Sequence, residues 1–163
     1  MLLLAALALP GCARGDADAA ATAQNAARIV PVTIESGGKT HVFRSELART
    51  AAEQARGLMF RTNLADDFGM LFAPYPAEGP PREASFWMKD TPSPLDIIFI
   101  RADGTIARIA ENAVPFDPTP IPSGEPVAAV LEVRGGRTAE LGIAEGDRVR
   151  WPANAVEGGA SAR

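Results

Sequence analysis

Glu132 is the residue of this sequence that most demands a chemical explanation. It interrupts the run Val127-Ala128-Ala129-Val130-Leu131, with Val133 after it, in a stretch that otherwise reads as a strand buried on both faces. A carboxylate is almost never fully buried without a partner. Two readings are open. In the first, Arg56, Arg61 or Lys89 pairs with it, and an ion pair holds a helical turn to the sheet. In the second, Glu132 is a site acid whose pKa is perturbed by its surroundings.

Other residues gather around the same question. Residues Ala84 to Lys89 read as a strand, in which alternation places Trp87, Lys89 and Thr91 on one face and Phe86, Met88 and Asp90 on the other. Lys89 beside Trp87 is either a stem packed along the ring or a cation lining a Trp-walled pocket. Asp96 follows the turn Thr91-Pro92-Ser93-Pro94 at the mouth of an apolar strand. It is either a turn acceptor or a ligand contact. Arg56 and Arg61 flank Gly57-Leu58-Met59-Phe60. They are ion-pair partners at the surface, or an anion clamp, for which the guanidinium fork suits carboxylate or phosphate. The candidate pocket is therefore Arg56, Arg61, Trp87, Lys89, Asp90, Thr91, Asp96 and Glu132.

Several chemistries are excluded. His41 is the single His, so His-based triads and multi-His metal sites are out of reach. Cys12 is the single Cys, which rules out an internal disulfide and a Cys-based zinc site. No phosphate-cradling Gly loop or dinucleotide fingerprint occurs. The 16 basic and 20 acidic residues leave a formal charge of −4, which argues against nucleic acid as a partner. A carboxylate pair drawn from Asp90, Asp96 and Glu132 could run glycoside-type acid–base chemistry. No catalytic residue, metal ligand or cofactor is assigned.

The elements that must position these groups come from a chain of 163 residues, the size of one domain. Of these, 31 are Ala, many of them outside the expected core. Met1 to Leu9 is an apolar run too short to span a bilayer, and it suits a secretory signal. Leu9-Pro10-Gly11-Cys12 resembles a bacterial lipobox, which implies cleavage before Cys12 and acylation of that residue. With Ala13 following, resemblance to Gram-negative lipoproteins favours the periplasmic face of the outer membrane. The alternative is an ordinary secretory signal with Cys12 incidental. The expected organisation is a signal at 1–11, a flexible tether at 12–27, one β-rich domain at 28–152 and a disordered tail at 153–163.

Within the domain, Ile29 to Ile34 and His41 to Leu47 read as a hairpin, with Pro31 confined to an edge or bulge. Thr50 and Glu53 match a capping box that starts a helix from Ala51 to Arg56, and Gly57 stops it. Further strands are expected at Gly69–Phe72, Leu95–Arg101, Thr105–Ala110, Val127–Arg134 and Arg148–Trp151. Thr138 to Gly142 is expected as a helical turn. Residues 114–126 are expected as a proline-rich loop. About eight short strands with Gly and Pro turns predict a mainly β fold, a jelly-roll-like sandwich or distorted barrel with one or two short helices. A doubly wound parallel sheet is not expected.

Four stretches, in this order, carry a further signal: Arg56 to Arg61; Gly69-Met70-Leu71-Phe72; Phe86 to Thr91 continuing through Pro94 to Ile100; and Val130 to Val133 with Gly135, Gly142-Ile143 and Gly146-Asp147. Together they resemble the bacterial and archaeal family known as domain of unknown function 192, over about Ile29 to Trp151. Asp90 and Ser93 depart from its usual Asn and aliphatic residue. The resemblance implies a β-rich, jelly-roll-like fold and carries no established activity, so no catalytic residues transfer. The expected function is an envelope-anchored binding or accessory domain, held to the membrane through Cys12 and taking a small-molecule or glycan ligand. The alternatives are a carboxylate-dependent hydrolase acting on an envelope glycan and a structural module whose charges form internal ion pairs.

Overall fold

A computed structural model describes residues 28–155. The expected signal, tether and acylated Cys12 lie outside the described residues, as does the tail beyond Ala155. The fold is mainly β, a strongly curled seven-stranded sheet with a two-stranded ribbon laid against it, in keeping with the distorted barrel or sandwich expected.

The strands are β1 (Ile29–Ser36), β2 (Lys39–Ala48), β3 (Phe68–Phe72), β4 (Arg82–Phe86), β5 (Leu95–Ile100), β6 (Ile106–Ala113), β7 (Ile121–Val127), β8 (Ala129–Arg134) and β9 (Arg148–Arg150). Two short helices, α1 (Ala51–Arg56) and α2 (Arg137–Leu141), interrupt them. The large sheet runs β6-β5-β8-β3-β2-β1-β9, and β4 pairs with β7 alone. All pairs are antiparallel except β2 with β3, which run parallel and are joined through α1.

The strands β3, β8 and β5 occupy the sheet centre and are apolar on both faces, as near-continuous runs require. On one face Leu71, Leu131, Val133, Ile98 and Ile100 join a core enclosed by β1, β2 and β9 through Val32, Ile34, Phe43 and Val149. On the other face Met70, Phe72, Val130, Ile97 and Phe99 meet Ala84 of β4, Val127 of β7, and Leu58 and Met88 from loops. The ribbon is thus the lid of a second core.

Local signals act as read. Thr50 and Glu53 form the capping box of α1, with both reciprocal bonds made. Pro31 lies on β1 beyond the stretch that β9 covers, which spans Thr33 to Glu35, so its missing N–H removes no bond there. Two expectations are corrected. The strand read as Ala84 to Lys89 ends at Phe86, because Lys89 and Asp90 turn. The loop read at 114–126 contains β7, whose Pro122 and Pro126 are accommodated because β7 pairs on one side only. Ordered structure also continues past Pro152. A 3₁₀ turn at Ala153–Ala155 buries Ala155, and Arg28 donates to the carbonyls of Asn154 and Ala155.

Asp96 is the polar anchor of this fold. It is fully buried. Its Oδ1 accepts from the backbone N–H of Asn112 (2.7 Å) and of Gly136 (2.8 Å). Its Oδ2 accepts from the N–H (2.8 Å) and the hydroxyl (2.7 Å) of Thr138. One carboxylate therefore ties β5 to the end of β6 and to the start of α2. Of the two readings of Asp96, the acceptor role is the one its contacts fill. Asp96→Ala would strand buried donors at about 1–3 kcal/mol each, so urea denaturation should show a loss of at least about 3 kcal/mol. A loss below about 1 kcal/mol would remove the anchor role.

Candidate functional site

A cleft of about 560 Å³ opens between α1, the 74–78 loop and the β4 end of the ribbon, with the buried Glu132 among its lining residues. Its walls follow from local sequence. Gln54 of α1 donates its side-chain amide to the carbonyls of Ala48 (3.2 Å) and Pro74 (2.7 Å), which pins the helix to the proline-rich loop. The Tyr75 N–H donates to the Ala128 carbonyl (2.8 Å), which fixes the loop to the sheet. Phe86, at the end of β4, packs edge-on against Phe72 (5.1 Å between centroids) and Phe99 (5.8 Å), and tilted against Tyr75 (5.6 Å). The result is a rigid aromatic wall.

Glu132 is 4% exposed and sits mid-strand, opposite Met70 of β3 and Ile97 of β5. No hydrogen-bond donor reaches its Oε2. Burial alone pushes its carboxyl up from 4.5 to about 8. The side chain is therefore protonated at neutral pH, and it is both a donor and an acceptor. The ion pair with Arg56, Arg61 or Lys89 that the sequence left open is not made. Arg61 pairs instead with Glu46 (2.7 Å).

Of the residues read from sequence, Arg56, Trp87, Thr91 and Glu132 line the cleft together. Arg61, Lys89, Asp90 and Asp96 do not line it. Trp87 is half exposed, and Lys89 Nζ stands 5.5 Å from its ring centroid, within cation–π range. Asp90 turns the chain at φ 52°, a conformation that Asp tolerates better than most residues, and its carbonyl accepts from the Phe60 N–H (2.8 Å). Thr91 is buried, and its hydroxyl donates to the Lys89 carbonyl (3.0 Å). Sequence reasoning missed Tyr75, Glu78, Arg82 and Phe86 as lining residues. The four prolines between Pro74 and Pro81 mark the Tyr75 and Glu78 segment as a shaped loop, but nothing in the sequence aims it at Glu132. Among the described residues, no three His, Cys, Asp or Glu side chains gather as a metal site.

The arrangement offers a neutral carboxyl among the residues of an aromatic-walled cleft that Arg56 and Arg82 also line. It can bind a ring and exchange a hydrogen bond at its base.

Known proteins agree with the fold and leave the chemistry open. The model of the DUF192 family, described as uncharacterized, matches residues 32–151. A crystal structure of a protein of unknown function from Novosphingobium aromaticivorans DSM 12444 is 54% identical, with a TM-score of 0.73 over 78% of this chain and 88% of that one. A protein from Sinorhizobium meliloti 1021, described as a candidate transcription regulator, is 42% identical, with a TM-score of 0.72 over 77% of this chain and 95% of that one. Among curated proteins, none matches.

The state of Glu132 sets a pH dependence. Below about 4.5, folded and unfolded chains both hold its proton. Between there and about 8, the unfolded chain releases it and the folded chain keeps it, so this group lowers stability as pH rises; above that range the loss levels off. Glu132→Gln should therefore gain on the native chain by a few kcal/mol between pH 5 and 9 in paired denaturant titrations. A constant difference between the two chains across that range would refute the buried, raised carboxyl.

Proposed function

The chain belongs to the DUF192 family, and from that footing we propose that it is a small-molecule-binding domain whose ligand contacts Glu132 at the base of the cleft. One observation carries the reading: a buried carboxyl with an unpartnered oxygen borders an accessible cavity. Buried polar atoms are nearly always bonded, and one left open at a cleft is a place for a ligand atom. The cleft volume lies within the range of small-molecule sites, and its lining joins an aromatic wall to polar side chains that could orient a ligand.

The structural-module alternative accounts for other charges. Arg134 bridges Asp66 and Glu140, and Arg61 holds Glu46. It does not account for Glu132, which has no such partner. The hydrolase alternative needs two carboxyl groups flanking the scissile bond. Asp96 is consumed by its four donors, and Asp90 does not line the cleft, so Glu78 is left as the second acid there. Binding is the better-supported activity. The regulator description of the Sinorhizobium relative is not adopted, since a net charge of −4 does not suit nucleic acid.

For the setting, we propose an envelope protein held at the periplasmic face of the outer membrane by an acylated Cys12. The support is the sequence Leu9-Pro10-Gly11-Cys12 after an apolar run. Acyl chains contribute about 0.8 kcal/mol per buried CH₂, so more than one on a residue makes a firm anchor. Fractionation tests this directly: the native chain should sediment with outer membranes and incorporate labelled palmitate, and Cys12→Ser should do neither. Palmitate labelling of the Cys12→Ser chain would remove the anchor.

For the site, a thermal-shift screen of sugars and polar metabolites should yield compounds that raise Tm. A ligand at 100 times its Kd adds about 2.7 kcal/mol, a rise on the order of 10 °C. Folded Glu132→Leu, which removes both donor and acceptor, should lose those shifts, while Glu132→Gln, which keeps a neutral donor and acceptor, should retain much of them. If Glu132→Leu keeps all of them in full, Glu132 is not part of the site.

A further inference from the structure

We infer that the cleft is built for an anionic small molecule with a flat, ring-bearing body, its ring laid against Tyr75, Phe86 and Trp87 and its acidic group drawn to Arg56 and Arg82. This rests on the cleft being a ligand site, and it adds the chemical class.

The strongest support is the pattern of arginine partners. Among the described residues, Arg44, Arg61, Arg101, Arg134, Arg137 and Arg150 are matched by carboxylates. Arg28, Arg108 and Arg148 are bonded to backbone carbonyls. Arg49 also has an interaction of its own. Arg56 and Arg82 alone have neither, and both line this cleft. They come from separate elements, the last residue of α1 and the first of β4, so one local sequence feature does not explain both. An unengaged guanidinium is a ready partner for a carboxylate or phosphate.

The remaining charges favour the same sign of ligand. Glu132 is uncharged at neutral pH because it is buried, so it does not repel an anion and can donate to an acceptor atom of the ligand. Glu78 is the other acid in the lining and is exposed, so two cations face one carboxylate around the cleft. Lys89 Nζ, 5.5 Å from the Trp87 ring centroid, adds a positive charge next to one wall residue. An organic cation would meet this field unfavourably, although an aromatic wall by itself would suit one.

The wall selects for shape. Phe86 is held by ring contacts to Phe72, Tyr75 and Phe99, so its position is set before any ligand arrives. Trp87, half exposed beside it, leaves ring surface free for stacking.

The test uses the full chain and two probes that share one ring system, indole-3-acetate and tryptamine, with phenyl phosphate as a second anion. Binding is read by calorimetry and by indole-independent thermal shift. The expected result is that at least one anion binds, and that tryptamine binds at least about tenfold more weakly, a difference of about 1.4 kcal/mol. The Arg56→Ala/Arg82→Ala double variant, with its circular dichroism unchanged, should weaken anion binding by about tenfold or more. Tryptamine binding as tightly as the anions, or full anion affinity in the double variant, overturns the inference. Tryptamine binding that Glu132→Leu abolishes overturns the anionic class while keeping the cleft as a ligand site. No binding by any probe at millimolar concentration also overturns it, and hits in the wider screen then separate that failure from failure of the site itself.

Discussion

Three adjacent strands, β3, β8 and β5, are buried on both faces, and the other elements take their places from the need to cover them. One face is covered by the curl of the same sheet, which brings Val32, Ile34 and Phe43 around to Leu131 and Ile98. The other face has no further sheet of comparable size. It is covered by the short β4–β7 ribbon together with Leu58 and Met88. A two-stranded ribbon is too narrow to close that face completely. The cleft lies where the cover stops, between the ribbon and α1, and Glu132 is the residue of β8 that falls beneath the gap. The site is thus a consequence of double-sided burial met by an incomplete second layer.

This also explains which parts of the molecule were legible in the sequence. The element boundaries that depend on local signals could be read directly: the capping box at Thr50 and Glu53 and the long apolar runs of β5 and β8. Glu132 stood out because a lone acid in such a run violates the pattern that surrounds it. What could not be read was tertiary. Alternation carried past Phe86 placed Trp87, Lys89 and Thr91 on one face, but the chain turns there, held by Phe60 on Asp90 and Phe116 on Thr91, both contacts between distant loops. Strand β7 was hidden by Pro122 and Pro126, which are harmless only because β7 is an edge, and its edge position is a property of the assembled fold.

The two buried acids, Asp96 and Glu132, are instructive because sequence treated them alike. Each interrupts an apolar strand of the same central strip, and they stand one residue apart in register, Asp96 opposite Val133 and Glu132 opposite Ile97. Their side chains leave opposite faces of the sheet. Asp96 meets the close turn at Gly135 and Gly136, where backbone N–H groups converge. A Cβ at Gly135 would lie 2.6 Å from the Asn112 side-chain oxygen, so only glycine lets that turn approach. Glu132 lies among the residues of the cleft, and no donor there reaches its Oε2. Four donors satisfy the first carboxyl, and burial without a donor raises the second so that it holds its proton. Donor supply from the neighbouring backbone, which no local pattern encodes, separates a structural acid from a candidate site acid.

Gly57 completes that logic. It ends α1 at φ 50° and ψ −137°, a conformation essentially reserved for glycine, and so turns the chain from the helix down to the buried Leu58. The turn passes directly over Glu132. A Cβ at this position would stand 3.3 Å from Cζ of Phe72 and 3.7 Å from Oε2 of Glu132. Any side chain there would fill the space above the carboxyl and press on the ring beside it. The residue that stops the helix is therefore also the one whose missing side chain leaves space beside the acid. A helix could have been ended by an exposed residue further along the chain. Ending it on a glycine packed against Phe72 and Glu132 makes the helix stop and the opening of the cleft a single structural feature.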